Sequence, residues 1–213
     1  LTGNQTGGSL VAVGFCALAS QTGTGQNTAV GDRVLKDNTT GTSNIGIGVI
    51  TFCDNTTGSN NVGVGNTALR KNTTGGCNVA IGSSALKANT TACNNTSVGY
   101  DSMAANTTGA GNTALGRDAL FTSTTGCCNT AIGAQSLEKN TTANSNTGLG
   151  FKALCTNTTG AENVAVGQVA LLANTTGASN TAVGKSALTA NTTGANNSAF
   201  GLNSLTSNTT GIQ

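Results

Sequence analysis

The sequence predicts an all-β protein, a parallel β-solenoid (β-roll) of about twelve 17-residue coils. Three observations carry this expectation. A 17-residue motif runs through the chain without a gap. Every copy has Gly at its eleventh position and an apolar residue at its tenth. Asn, Thr and Gly supply 98 of the 213 residues, while only 16 are charged.

The units start at residues 4, 21, 38, 55, 72, 89, 106, 123, 140, 157, 174 and 191, and a partial unit covers 208–213. Residues 1–213 therefore read as one repeat array. The unit is N-T-T-G-x-x-N-T-A-V-G-x-x-A-L-x-x. Helical repeats need about 33 to 47 residues because each must hold a helix pair. Seventeen residues suffice for one coil with two short strands of about five residues and two turns. Thr, Asn and Gly are also poor helix formers. Stacked coils would repeat every ~4.8 Å, so twelve would make a rod of roughly 60 Å.

Each element has its own sequence signal. Positions one to four, N-T-T-G, form a turn, since Asn and Gly tolerate left-handed backbone. Positions seven to eleven alternate as a strand does. Positions eight and ten are expected to face inward, with position fifteen joining them from the other side of the coil. The predicted core is Val13, Val30, Ile47, Val64, Ile81, Val98, Leu115, Ile132, Leu149, Val166 and Val183, together with Leu69, Leu86, Leu120, Leu137, Leu154, Leu171 and Leu188. Positions nine and eleven are then the outward face. Their side chains are uniformly small, which suggests close approach by another surface. Fifteen of the sixteen charges fall at positions twelve, thirteen, sixteen and seventeen, with Glu162 the exception. These are the expected wet positions, with sign changing between coils.

Several functions are excluded by composition. A net charge of +2 gives no electrostatic footprint for nucleic acid or an anionic membrane surface. No apolar run approaches the ~18 to 20 residues of a membrane span. The chain has no His, no C-x-x-C and no recurrent acid pair, so neither a metal site, a cofactor site nor a catalytic site is expected.

Three residue classes admit two readings each. The sequon N-x-T recurs at Asn4, Asn38, Asn55, Asn72, Asn89, Asn106, Asn140, Asn157, Asn174, Asn191 and Asn208, and Asn94, Asn95 and Asn196 also satisfy N-x-[ST]. These are either N-glycosylation acceptors of a secreted fibre or a ladder of stacked amides. The paired Thr after each sequon are either turn and strand residues or an array that orders ice. Cys77 and Cys93, one coil apart in one turn, are either a disulfide or small fillers.

The segments N-V-A-V-G-Q-V-A-L (163–171), N-T-A-V-G-K-S-A-L (180–188) and N-V-A-I-G-S-S-A-L (78–86) resemble the head-domain repeats of trimeric autotransporter adhesins. The form with N-T-T-G is also similar to shaft repeats of phage and bacterial tail fibres. The resemblance covers nearly the whole chain. It implies a left-handed roll, three chains side by side as a homotrimer, and a place on a cell surface, on a virion or elsewhere outside the cell.

The expected function is a non-enzymatic structural shaft of an extracellular fibre, with copies of itself as partners. Two alternatives stand beside it. One is a single-chain solenoid that polymerises end to end. The other is a module that binds glycans, a cell surface or ice.

Overall fold

The computed structural model describes residues 8–211. They form two compact units, one ending at Thr108 and the other starting at Gly109. Both are all-β solenoids with parallel strands, and neither contains a helix among the described residues. The first unit holds β1 (Val11–Val13), β2 (Thr28–Val30), β3 (Ile45–Ile47), β4 (Val62–Val64), β5 (Val79–Ile81) and β6 (Thr96–Val98). The second holds β7 (Thr113–Leu115), β8 (Thr130–Ile132), β9 (Thr147–Leu149), β10 (Val164–Val166), β11 (Thr181–Val183) and β12 (Ser198–Phe200).

Within each unit, strands pair in register at the same position of successive coils. In β3 and β4, for example, Ile45 meets Val62, Gly46 meets Gly63 and Ile47 meets Val64. Each coil has one strand of three residues, where the sequence predicts two of about five. The rest of the coil still bonds to its neighbours. In the coil 38–54 the amide of Thr39 donates to Thr56 O (2.9 Å), Phe52 to Ala68 O (3.1 Å) and Asp54 to Arg70 O (3.0 Å). The amide of Ile50 donates the other way, to Asp32 O (2.8 Å). The second wall of the coil therefore keeps the ladder while losing strand dihedrals.

The reason lies in the backbone at positions thirteen and fifteen. Both are left-handed, as in Ile50 (φ 57°) and Phe52 (φ 54°), or Val169 (φ 52°) and Leu171 (φ 50°). Non-glycine residues rarely adopt this region. Here the stack holds them there, because alternate amides must reach both neighbouring coils. Position eleven turns the corner after the strand with φ between 110° and 141°, and only Gly fits. A Cβ on Gly65 would lie 2.5 Å from Gly82 O in the next coil.

The core reverses one expectation. Leu69, Leu86, Leu120, Leu137, Leu154, Leu171 and Leu188 are fully buried. The position-ten residues Val13, Val30, Ile47, Val64, Ile81, Val98, Leu115, Ile132, Leu149, Val166 and Val183 are not core residues: each lies on the outer face, half-buried or exposed. Position eight faces outward with them. The inward residue of every strand is the small one at position nine, such as Ala29, Ala80 or Ala165. Space explains this inversion. The interior between the walls is one side chain thick, and the position-fifteen side chain fills it. A Cβ on Gly46 would lie 2.5 Å from Val34 Cγ1 and touch Phe52 Cδ2 at 3.4 Å. A Val or Leu pointing inward from the strand would overpack the coil.

Two columns of buried amides complete the interior. At position one, Asn72 Nδ2 donates to Asn55 Oδ1 of the preceding coil (2.7 Å) and to Gly75 O (3.0 Å). At position seven, the Asn78 amide nitrogen donates to Asn61 Oδ1 (2.9 Å), and Asn78 Nδ2 donates to Ala92 O (2.8 Å). Most of these Asn thus satisfy turn carbonyls that a thin core would otherwise leave unpaired, while the buried Nδ2 of Asn146 has no partner.

Candidate functional site

The candidate site is the outer face of the strands. Positions eight and ten line it, and in none of the twelve coils does either carry a charge. Ile45 and Ile47 are 42% and 41% exposed, and Leu115 is 48% exposed. None of the position-ten side chains is buried, although all twelve are apolar. The face is bordered beyond the corner Gly by position twelve. The surface with small residues, which the sequence offers as the contact side, is the inner one. The large apolar residues assigned to the core are the ones on show.

Other clusters are placed as follows. Arg70, Lys71 and Lys87, with Thr67 and Ser84, line a shallow groove of the first unit. Lys87 Nζ lies 3.5 Å from Asp101 Oδ1. Arg70 and Lys87 occupy the same position of successive coils, as do Asp37 and Asp54. Charge sign therefore does not alternate strictly along the stack, and neighbours at other positions compensate. Asp37 is held by Lys36 Nζ at 3.1 Å.

The ligand atoms of Asp37, Cys53 and Asp54 lie within 4.8 Å of one another, a grouping the sequence reading did not include. Burial and the neighbouring Asp54 and Asp37 carboxylates push the Cys53 thiol up. The protonated thiol is a poor metal ligand, and Lys36 already neutralises Asp37. The arrangement is that of a turn in which one lysine offsets one of two carboxylates. It was invisible in the sequence because its members lie 16 and 17 residues apart and meet only through coil stacking.

The sequons are resolved by burial. Asn38, Asn55, Asn72, Asn89, Asn106, Asn140, Asn157, Asn174 and Asn191 are fully buried. The glycosylation assignment for them is corrected, because the amide nitrogen that would carry a glycan points into the coil and serves the ladder. Asn208 is half-buried and bonds to Gly211 O at 3.4 Å. Asn4 lies outside the described residues. The exposed sequons are Asn94 and Asn196, both at position six.

The Cys77–Cys93 disulfide is likewise corrected: both are free thiols. Position six is left-handed, with Cys77 at φ 57°, and its side chain is exposed. The thiol of Cys93 instead accepts the Gly76 amide at 3.3 Å. Position-two Thr hydroxyls are engaged along the stack, as in Thr56 Oγ1 to Thr73 O (3.1 Å). In every pair but Thr209 and Thr210 only the position-three Thr is exposed, at Thr40, Thr57 and Thr74 for example.

Among the described residues, no helix is long and apolar enough to cross a membrane. Comparison with protein-family models, with curated proteins and with solved structures returns no match.

Proposed function

We propose that the chain is a non-catalytic structural segment of an extracellular fibre, and that it assembles with copies of itself through the outer strand face. The observation that carries this reading is position ten: apolar in every coil, and outward in every coil. A monomer living alone in water has no use for such a column, since exposed apolar patches on monomers rarely exceed a few hundred Å². Ile45, Ile47, Ile81, Leu115 and Leu149 of this face are all between 41% and 48% exposed, apolar surface that a partner would cover.

A homotrimer is the assembly we favour, with three strand faces turned toward one another. Support comes from the lack of charge on the face and from the repeat's resemblance to trimeric adhesin heads and tail-fibre shafts. The same resemblance supports a location on a cell surface or virion.

Analytical ultracentrifugation of the full chain tests the reading. A discrete three-chain mass is expected. A monomer at tens of micromolar would overturn self-association, and mass that grows with concentration would favour the end-to-end polymer instead. Replacing Ile47, Ile81, Leu115 and Leu149 by Thr should dissociate the assembly while leaving the circular dichroism of the coils unchanged.

A further inference from the structure

Position twelve adds a longer period to the outer face. Its residues at Val49, Tyr100, Phe151 and Leu202 are large and apolar, and they lie 51 residues, or three coils, apart. All are exposed, with Tyr100 at 57% and Leu202 at 69%. The intervening coils carry Asn66 and Ser83, Arg117 and Ala134, and Gln168 and Lys185 at this position. Phe15, in the first coil, falls outside the phase. The period also shows inside the coil. Position nine is Ala in most coils, but it is Gly46, Ser97 and Gly148 in the three coils of Val49, Tyr100 and Phe151, and otherwise departs from Ala only at Gly63.

Self-assembly of a repeat has a built-in ambiguity. Positions eight and ten look alike in every coil, so two copies that slide by one coil, about 4.8 Å, keep nearly the same contacts. A closed cyclic assembly tolerates no such offset, because offset copies leave unmatched ends that keep recruiting.

We propose that Val49, Tyr100, Phe151 and Leu202 are register knobs for a second copy of this chain, an inference that rests on the self-assembly reading above. The corner Gly at position eleven places each knob at the border of the apolar face. Within a unit, successive knobs are three coils apart, about 14 Å along the stack. At zero offset, knobs meet the same rows of the other copy. A slip of one coil sets them against Asn66, Arg117 and Gln168, and a slip of two against Ser83, Ala134 and Lys185, and all of these but Ala134 are polar groups desolvated without partners. Within a unit, a slip of three coils brings one knob onto the row of the other but uncovers three of its six coils. Slips of one and two coils are therefore the ones selected against.

The test is self-sorting. In one variant three of the four knobs move by one coil with composition unchanged, Leu202 staying in place: Val49→Asn with Asn66→Val, Tyr100→Arg with Arg117→Tyr, and Phe151→Gln with Gln168→Phe. Nitrogen-15-labelled variant and unlabelled wild type are refolded together and weighed by native mass spectrometry. Expected are normal assemblies of each chain with itself, and mixed species depleted about tenfold below the statistical mixture, the ratio that ~1.4 kcal/mol produces. Statistical mixing overturns the knobs and leaves self-assembly intact. Monomeric wild type overturns the self-assembly reading itself. A folded variant that stays monomeric beside an assembled wild type also overturns the knobs, since spacing alone would then not suffice. If the sixfold variant does not fold, the single exchange Phe151→Gln with Gln168→Phe gives the same readout with a smaller depletion.

Discussion

The ring of Phe52 occupies the space that a side chain on Gly63 would take: a Cβ there would lie 2.5 Å from Phe52 Cε2. Phe52 stands where ten of the twelve coils have Leu, and position nine is Gly in both its own coil and the next, at Gly46 and Gly63. At Gly63 the larger core residue and the missing methyl group compensate for each other, whereas at Gly46 the nearest atom is Val34 Cγ1, at 2.5 Å. Gly63→Ala should therefore destabilise the chain by about 1–3 kcal/mol through overpacking. Phe52→Leu should rescue most of that loss, with a coupling of about 1 kcal/mol in a double-mutant cycle. Thr51 Cγ2, 2.9 Å from the same Cβ position, limits the rescue. Additive losses in urea denaturation would refute the compensation.

The position-one ladder makes a second prediction. Asn72 donates to Asn55 and Gly75 and accepts from Asn89 Nδ2 at 2.7 Å. Asn72→Ala orphans buried partners on both sides and should cost about 2–4 kcal/mol. Ser123 interrupts the ladder, and its buried Oγ has no partner. Ser123→Asn should supply an acceptor to Asn140 and raise stability by about 1 kcal/mol. An unchanged or lower denaturation midpoint would show that the serine site has closed around the smaller side chain.

Backbone strain is removable at the half-exposed position thirteen. Val169 is β-branched and held at φ 52° by its amide bond to Phe151 O (2.9 Å). Asn is far more tolerant of this region, and Asn203 already fills the equivalent place at φ 54°. Val169→Asn should stabilise by about 1 kcal/mol. Thermal melts of the two proteins at matched concentration decide the matter, and a lowered Tm counts against the strain.

The thiol of Cys155 gives a pH dependence. It donates to Glu138 Oε2 at 3.5 Å, and burial, reinforced by that carboxylate, pushes its pKa from 9.0 up to about 11. On raising the pH, the unfolded thiol loses its proton first. The contribution to stability is thus complete below pH 9 and lost as the pH passes through about 11. Cys155→Ala should flatten that part of the stability profile. In the wild type at pH 8, iodoacetamide should modify exposed Cys77 and Cys128 well before Cys155; equal rates would contradict the shift.

How much of this was legible in the sequence depends on which residues are asked. The period, the corner Gly at position eleven and the buried Leu of position fifteen are plain in the chain, because each follows from local chemistry repeated twelve times. The direction of the strand is not. Alternation of Thr28, Ala29 and Val30 defines two faces, but hydrophobicity alone assigns the larger side chains to the inside. The opposite assignment follows only once Leu35 and its equivalents are seen to fill the space between the walls. The left-handed dihedrals of Arg33, Leu35 or Val169 were equally hidden, since none of these residues favours them and the stack imposes them. The Asn ladder was half legible: position one reads as a ladder or a sequon, and burial decides.

Nearly all the bonds that join one coil to the next link residues 14 to 18 places apart. A pull on the chain ends of such a stack would meet no contact that spans several coils. Coils would peel off singly, each rupture freeing 17 residues and about 60 Å of slack at full extension. The force trace of a tethered molecule should be a sawtooth of equal teeth. Such a stack absorbs sudden load by yielding in small increments, and each tooth can re-form on the template of the coil beneath it.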